Sequence, residues 1–373
     1  MRMWLIIMIT TLVVTALSLV YLAGRVGEFG IIKNSDIASW RKWIRGFLLV
    51  LFVFVVVGKS LNFVNAMVCV FYFAMIWGAC DLGFALVKKF FVFEYKGYYA
   101  GYAALVLSLL ALSWGWYLNH HVWQTEYTFY SNKITQPIKI ALFADSHVGT
   151  TFDADGLAQH LAKIQAQNPD LVIVSGDFVD DDTKKKEMIK AAKYLGELKT
   201  KYGVYVVLGN HDEGYYGKGY RGYNGLELVE ELKKNGVIVL QDDVKLIDGR
   251  FYLVGRKDAS ADREHRGGRI NMLDMARPLD KHKYIIVADH QPNDYERQAQ
   301  AEVDLVLSGH THGGQLFPLN KVGKWIGAND LIYGHEKKDK TDFVVTSGIS
   351  DWTIKFKTGT KSEFVIINVE PKS

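Results

Sequence analysis

Long uncharged stretches constrain this chain more than any other feature. Residues 3–24 carry no charged side chain, residues 62–87 carry only Asp81, and residues 97–118 again carry none. Each run matches or exceeds the roughly 20 residues that cross the hydrocarbon core of a bilayer. Between Arg45 and Lys59 lies a shorter run, FLLVLFVFVVVG. As a helix it covers about 20 Å, and it spans if the flanking cations snorkel outward. The sequence therefore predicts about four spans, with a tight turn near Lys59–Asn62. Tyr95, Tyr98 and Tyr99 bound the last run on one side and Trp114, Trp116 and Trp123 on the other, as rings do at headgroup level. Residues 1–24 lack a small-residue cleavage site and are followed by further spans, so they read as a retained helix.

With four spans, the loops at 25–46 and 88–96 share one side and carry Arg25, Lys33, Arg41, Lys42, Arg45, Lys88, Lys89 and Lys96. The other side has Arg2, Lys59, Lys133 and Lys139. The positive-inside rule then predicts an integral protein of the inner cell membrane with its soluble part outside the cytoplasm. If residues 46–58 do not span, that orientation reverses. Segment 36–46, DIASWRKWIRG, reads either as a short helix lying on an anionic membrane face or as a plain basic loop. Asp81, near the end of its run, fits an interfacial or helix-pairing role. The two cysteines, Cys69 and Cys80, lie in that same run, about 16 Å apart on a helix and beyond disulfide reach. Thiolate metal sites, cysteine nucleophiles and disulfides are thereby excluded from everything beyond it.

The composition changes near residue 126, which divides a membrane region, 1–125, from a soluble domain, 126–373. A formal net charge of +4 offers no basic excess to neutralise many phosphates, so no nucleic-acid partner is expected. In the second part, apolar β-branched runs at 138–144, 171–175, 204–208, 284–288 and 304–308 alternate with helical periodicity at 155–168 and 184–199. Near-continuous apolar strands of this kind are buried on both faces. A further set at 244–247, 251–255, 343–346 and 363–369 predicts a second sheet. The expected fold is an N-terminal α-helical membrane region followed by an α/β domain, a two-sheet β-sandwich flanked by helices.

What ends those strands points to chemistry. They run into Asp145-Ser146-His147, Gly176-Asp177-Phe178-Val179-Asp180, Gly209-Asn210-His211-Asp212, Asp289-His290 and Gly309-His310-Thr311-His312. Ligand sites in open α/β sheets lie off the carboxyl ends of strands. Carboxylate, amide oxygen and imidazole together suit hard-to-borderline divalent metals. Asp-x-His and His-x-His place two ligands on one face of an extended segment, and one carboxylate, Asp177, can bridge two ions. Ions about 3.5–4 Å apart activate water and clamp a phosphoryl group. Each motif alone reads as a turn or helix cap. Five in order, each after an apolar strand, do not.

Residues from about 137 to 373 resemble the calcineurin-like metallophosphoesterases, whose ordered signature is D-x-H, G-D-x-x-D, G-N-H-D/E, H and G-H-x-H. The run Ser308-Gly309-His310-Thr311-His312-Gly313-Gly314-Gln315, with four spans ahead of it, is similar to the bacterial membrane-associated branch and to transmembrane metallophosphoesterase proteins. The resemblance implies two divalent ions, manganese, iron or zinc. Asp145, His147, Asp177 and His312 would hold one, and Asp177, Asn210, His290 and His310 the other. It also implies that His211 stabilises the phosphoryl transition state or protonates the leaving group, that Asp212 orients His211, and that Asp180 is a structural acceptor. Where relatives often carry Arg-Gly near the C-terminus, this chain has Ser347-Gly348.

The implied activity is hydrolysis of phosphodiester or pyrophosphate bonds by a membrane-tethered enzyme. Its expected partners are the lipid bilayer and a phosphorylated small-molecule or lipid-linked substrate. Two other readings are a UDP-sugar-lipid pyrophosphatase facing the cytoplasm and a non-catalytic metal-binding scaffold or sensor. For specificity, the loop EGYYGKGYRGYNG offers Tyr215, Tyr216, Lys218, Tyr220, Arg221 and Tyr223 to grip a phosphate or stack a ring, or else is a solvated loop. The run DREHRGGR, with Arg263, His265, Arg266 and Arg269, reads mainly as charged surface, with a second phosphate contact as the alternative.

Overall fold

The computed structural model describes all residues except 1, 34–37, 92–96, 217, 264–267 and 373. The chain divides into two compact units: residues 1–116 with 353–355, and residues 117–352 with 356–373.

The first unit is built on long helices: α1 (Arg2–Val26), α2 (Ser39–Ser60), α3 (Phe63–Phe91) and α4 (Tyr99–His120). All four are long and apolar enough to cross a membrane. In hydrocarbon every backbone polar group must be satisfied within its own segment, which a helix does. Leu17 and Phe52, each 65% exposed, are side chains that lipid would cover. The run at 46–58 is no shorter element: residues 39–46 form the first turns of α2, which gives it 22 residues. The basic-aromatic segment therefore continues into the span from Ser39 onward, and Asp36 and Ile37 lie outside the described residues. The turn at Leu61–Asn62 falls where the sequence places it. Cys69 and Cys80 are free thiols.

Asp81 pairs helices. Its carboxylate lies 2.9 Å from Arg25 Nε and accepts hydrogen bonds from the hydroxyls of Tyr21 and Tyr98, each at 2.9 Å. Trp77 Nε1 donates to the Tyr98 hydroxyl at 2.8 Å. Side-chain hydrogen bonds inside membranes average about 0.6 kcal/mol and reach about 1.7. Asp81→Ala is expected to destabilise this unit by about 2 kcal/mol, read as a lower melting temperature of the detergent-solubilised protein. An unchanged melting temperature would mean that the cluster does not hold the helices together.

The second unit is a four-layer α/β sandwich. Its first sheet uses β1 (Val122–Ser131), β2 (Ile138–Phe143), β3 (Leu171–Ser175), β4 (Val204–Val207) and β5 (Ile238–Leu240). The second uses β6 (Asp243–Ile247), β7 (Phe251–Gly255), β8 (Tyr284–Ala288), β9 (Leu305–Ser308), β10 (Gly334–Lys338) and β11 (Thr341–Val345). The chain returns to the first sheet with β12 (Ser362–Pro371). The orders are β1-β12-β2-β3-β4-β5 and β10-β11-β9-β8-β7-β6. Alternate residues of one strand serve different layers. Ile140, Leu142, Leu171 and Ile173 pack between the sheets against Leu253, Ile286 and Leu307. Ala141, Phe143, Val172 and Val174 face the outer helices α5 (Ala154–Gln165), α6 (Lys185–Gly196) and α7 (Gly225–Lys234). A third cluster around Met272, Met275, Tyr295 and Phe343 covers the outer face of the second sheet.

β1 begins at Val122, inside the stretch the composition assigns to the membrane region, and pairs in parallel with β12 along its whole length. β2, β3 and β4 run parallel in the first sheet, and β7, β8, β9 and β11 in the second. The carboxyl ends of β2, β3, β4, β8 and β9 lead into the five motif segments.

Candidate metal centre

The backbone at these strand ends is strained where chemistry would use it. Asp145, His147, Asp177, His310 and His312 all adopt positive φ, between 36° and 72°. Residues other than glycine in this region cost of order 1–3 kcal/mol each, and such residues cluster at functional sites. The surrounding contacts that enforce the conformation are specific. Asp145 N donates to the Gly176 carbonyl and His147 N to that of Asp177, while His310 N donates to the Asp145 carboxylate at 2.9 Å. Gly209 permits a close approach: a Cβ there would collide with Asp177 Oδ1.

The structure gathers six of the seven sequence-derived ligand candidates into two groups, Asp145–His147–His312 and Asp177–His290–His310. Within each, one potential ligand atom per residue lies within 4.8 Å of the others. Asp177 lies between them, its Oδ2 3.7 Å from His147 Nε2 and 3.1 Å from His290 Nε2. The seventh, Asn210, is buried beside Asp177. Its Nδ2 donates to the Tyr215 hydroxyl at 2.8 Å, whereas its Oδ1 has no hydrogen-bond partner among the described residues. A buried, unpartnered amide oxygen normally costs free energy. It is the atom that a hard cation would take.

Hydrogen bonds fix the imidazoles in usable tautomers. His290 Nδ1 lies 2.8 Å from the Ser175 carbonyl, which requires a proton there and turns Nε2 toward Asp177. His312 Nδ1 faces the Ser350 carbonyl at 3.3 Å and Asp351 Oδ1 at 3.2 Å, leaving Nε2 on the side of Asp145. Electrostatics agree. Burial opposes a charge on Asp177, yet His290 foremost, with His211 and His147, holds its carboxyl well below the usual range. Burial also disfavours a charged His290, and Asp177 reverses this to raise it well above an ordinary histidine. His310, half-buried and beside His290, is pushed down by desolvation to about 4. These are buried carboxylates that call for positive charge, which His290 supplies to Asp177 here and a bound ion would supply in its place. The residues fit two divalent ions sharing Asp177.

A third group, His147–Asp180–His211, overlaps the first at His147. Here the geometry corrects an assignment carried over from the motif. Asp212 does not orient His211. Its carboxylate turns back to accept from Gly209 N at 2.8 Å and Val179 N at 2.9 Å, tying the ends of β3 and β4 together. Burial and the charge of Asp177 raise it to about 7. The carboxylate facing the imidazole is Asp180, with Oδ1 2.9 Å from His211 Nδ1 and 3.8 Å from His147 Nδ1; Asp181 Oδ2 lies 3.4 Å from His211 Nδ1. Burial alone would lower His211, but Asp180 and Asp181 outweigh it and lift the imidazole to about 10. Adjacency in sequence hid this, because the helical turn at 210–213 sends neighbouring side chains in different directions.

The candidate specificity residues take other roles. Arg221 is buried and donates to the carbonyls of His211 and Asp212 at 3.0 and 2.6 Å, so it braces the motif turn instead of gripping substrate. Tyr223 is buried and Lys218 pairs with Glu227 at 2.9 Å, while Tyr215, Tyr216 and Tyr220 remain exposed. Tyr215 also packs edge-on against His211, with ring centroids 5.2 Å apart. Arg269 is no surface charge: with Arg256 it pairs with the buried Asp289 preceding His290. His265, Arg266 and the Arg263 side chain lie outside the described residues. Sequence reasoning missed Asp351 and Trp352. The second has its ring centroid 5.6 Å from that of His211 and is 47% exposed.

Residues 138–314 match the family model for calcineurin-like phosphoesterases. An uncharacterized metallophosphoesterase of Aquifex aeolicus is 33% identical over 196 residues, covering 52% of this chain and 70% of that protein. Another from Campylobacter jejuni is 30% identical over 244 residues, 64% of this chain and 61% of its own length. A bovine transmembrane protein with a metallophosphoesterase domain is 29% identical over 237 residues, 61% of this chain and 51% of that protein. The chain thus spans less than two thirds of the last two. Fold, ordered motifs and these likenesses agree, and the chain belongs to the calcineurin-like phosphoesterase family.

Proposed function

We propose that this protein is a membrane-tethered hydrolase of phosphoester or phosphoanhydride bonds that works with two divalent ions. The observation that supports this most is the combination of two ligand groups, with Asp177 of one also near His147 of the other, and a further imidazole, His211, whose Nδ1 faces Asp180 and Asp181. A site that only stored metal would have no use for that imidazole. When bound, the ions supply an activated water and neutralise charge on the phosphoryl group. Asp145, His147, Asp177 and His312 would hold one and Asp177, Asn210, His290 and His310 the other. His211 carries a proton at neutral pH and donates it to the departing oxygen or to a phosphoryl oxygen. Asp180 faces Nδ1 at 2.9 Å, which turns Nε2 away from it for that transfer.

Four spans in the same chain favour a lipid-linked phosphate as substrate, and the distribution of Lys and Arg favours an extracytoplasmic domain. The test is hydrolysis of a chromogenic phosphodiester by the full-length protein in detergent, with Mn²⁺ and after chelation. Metal-dependent turnover, suppressed by competing lipid pyrophosphates or phospholipids, is the expected result. Two bound ions without turnover on any of these substrates would favour a scaffold. Asp180→Asn is expected to lower kcat about 10–100-fold with both ions retained, as loss of an orienting partner does. The measurement is turnover and metal content on one preparation.

A further inference from the structure

The turn at 346–351 contains no arginine and no motif, yet it touches the first ligand group from several sides. Ile349 N donates to the Ala144 carbonyl at 2.9 Å, just ahead of Asp145. Gly348 lies so near Asp145 that a Cβ would meet that residue's Cβ at 2.8 Å. Two charged side chains sit underneath, both fully buried: Asp351 and Lys357. Lys357 Nζ donates to the Ser347 carbonyl at 2.6 Å and faces those of Gly348 and Ser350 at 3.4 Å. Its nitrogen is 3.8 Å from Asp351 Oδ1, and the same Oδ1 is 3.2 Å from His312 Nδ1.

A buried ammonium and a buried carboxylate are each costly to desolvate, and hydrophobic side chains of similar volume would often stabilise a core as well or better. A pair retained here, at the back of a ligand, calls for a reason other than stability. We infer that Lys357 and Asp351 are positioning residues for the metal centre: Lys357 pins the 347–350 carbonyls, among them the Ser350 oxygen that faces His312 Nδ1, and compensates Asp351, whose buried charge beside Nδ1 keeps Nε2 turned to the ion at Asp145 and His147. This rests on the two-ion reading above. It adds two charged residues, Lys357 and Asp351, that belong to neither ligand set and stand behind His312, which does.

The experiment measures Mn²⁺ binding to the full-length protein in detergent by competition with a fluorescent chelator. Metal content per chain and melting temperature are recorded alongside. Asp351→Asn, which keeps the shape, is expected to weaken one of the two ions about 10–100-fold and leave the other near wild type, the size expected for an outer partner of a ligating histidine. The Mn²⁺ spin-resonance signal should change from a coupled pair to a single ion at limiting metal. Lys357→Met should weaken the same ion, and Lys357→Arg should restore part of the affinity. If Lys357→Met does not fold, Asp351→Asn and Lys357→Arg still decide. Wild-type affinity for both ions in Asp351→Asn would overturn the positioning role. So would equal weakening of both, which a general loss of structure would produce. Failure of the wild-type protein to bind any ion would instead sink the two-ion reading beneath it.

Discussion

Replacing Asp177 with asparagine is expected to abolish more activity than any other single change, by about 10³-fold or more. Its carboxylate reaches toward both ligand groups, with His290 Nε2 at 3.1 Å and His147 Nε2 at 3.7 Å from the same oxygen. Its other oxygen accepts from His211 N at 2.9 Å and so also sets the third motif. An amide removes the charge that lies beside His290, His147 and His310 in a buried site, and electrostatic contributions from bound ions amount to several kcal/mol. At about 1.4 kcal/mol per tenfold, that gives the expected factor. The paired measurement is metal content, which should fall below two ions per chain. Near wild-type turnover in Asp177→Asn would remove the bridging role.

His211→Asn should separate proton transfer from metal binding. The imidazole lies against His147, with ring centroids 5.0 Å apart, and its partners Asp180 and Asp181 are not in the two groups that share Asp177. Both ions should therefore remain. A positioned general acid contributes typically about 10²–10⁴-fold, so kcat should fall within that range. The loss should depend on the leaving group. A nitrophenolate departs without a proton and should suffer least; an alkoxide, as in a lipid or sugar phosphate, should suffer most. Equal losses across leaving groups would assign His211 to charge stabilisation of the phosphoryl group, not to proton donation.

Much of the fold was legible because of how it is buried. β2, β3, β8 and β9 lie between layers, so both faces are apolar and the runs stand out within a residue of their ends. β1 and β10 lie at sheet edges, where VWQTEYTFYS and GHEKK are half solvated and resemble connecting segments. β5 has only three residues. Helix α7 did have a signal, the Asn224–Glu227 capping box, but it lies beside a glycine- and tyrosine-rich loop that obscures it.

The site divides in the same way. Ligand candidates were readable because five strand ends repeat one chemical theme in order. Asp180 and Asp212 were not distinguishable, since both are acidic and close to ligands in sequence. Only the turn at 210–213, which carries the Asp212 carboxylate back to Gly209 N and Val179 N, tells them apart. Asp351 and Lys357 carry no motif. Their part depends on the return of β12 into the first sheet, which closes the 346–351 turn against Asp145.

The central claim is that two ions sharing Asp177 make this site a phosphohydrolase. The most direct measurement titrates Mn²⁺ into the chelated full-length protein and follows bound metal and phosphodiester turnover on the same samples. The expected result is two ions bound per chain, with turnover appearing as the second site fills and absent throughout in Asp177→Asn. Turnover that persists in excess chelator, or that is complete with a single ion, would contradict it.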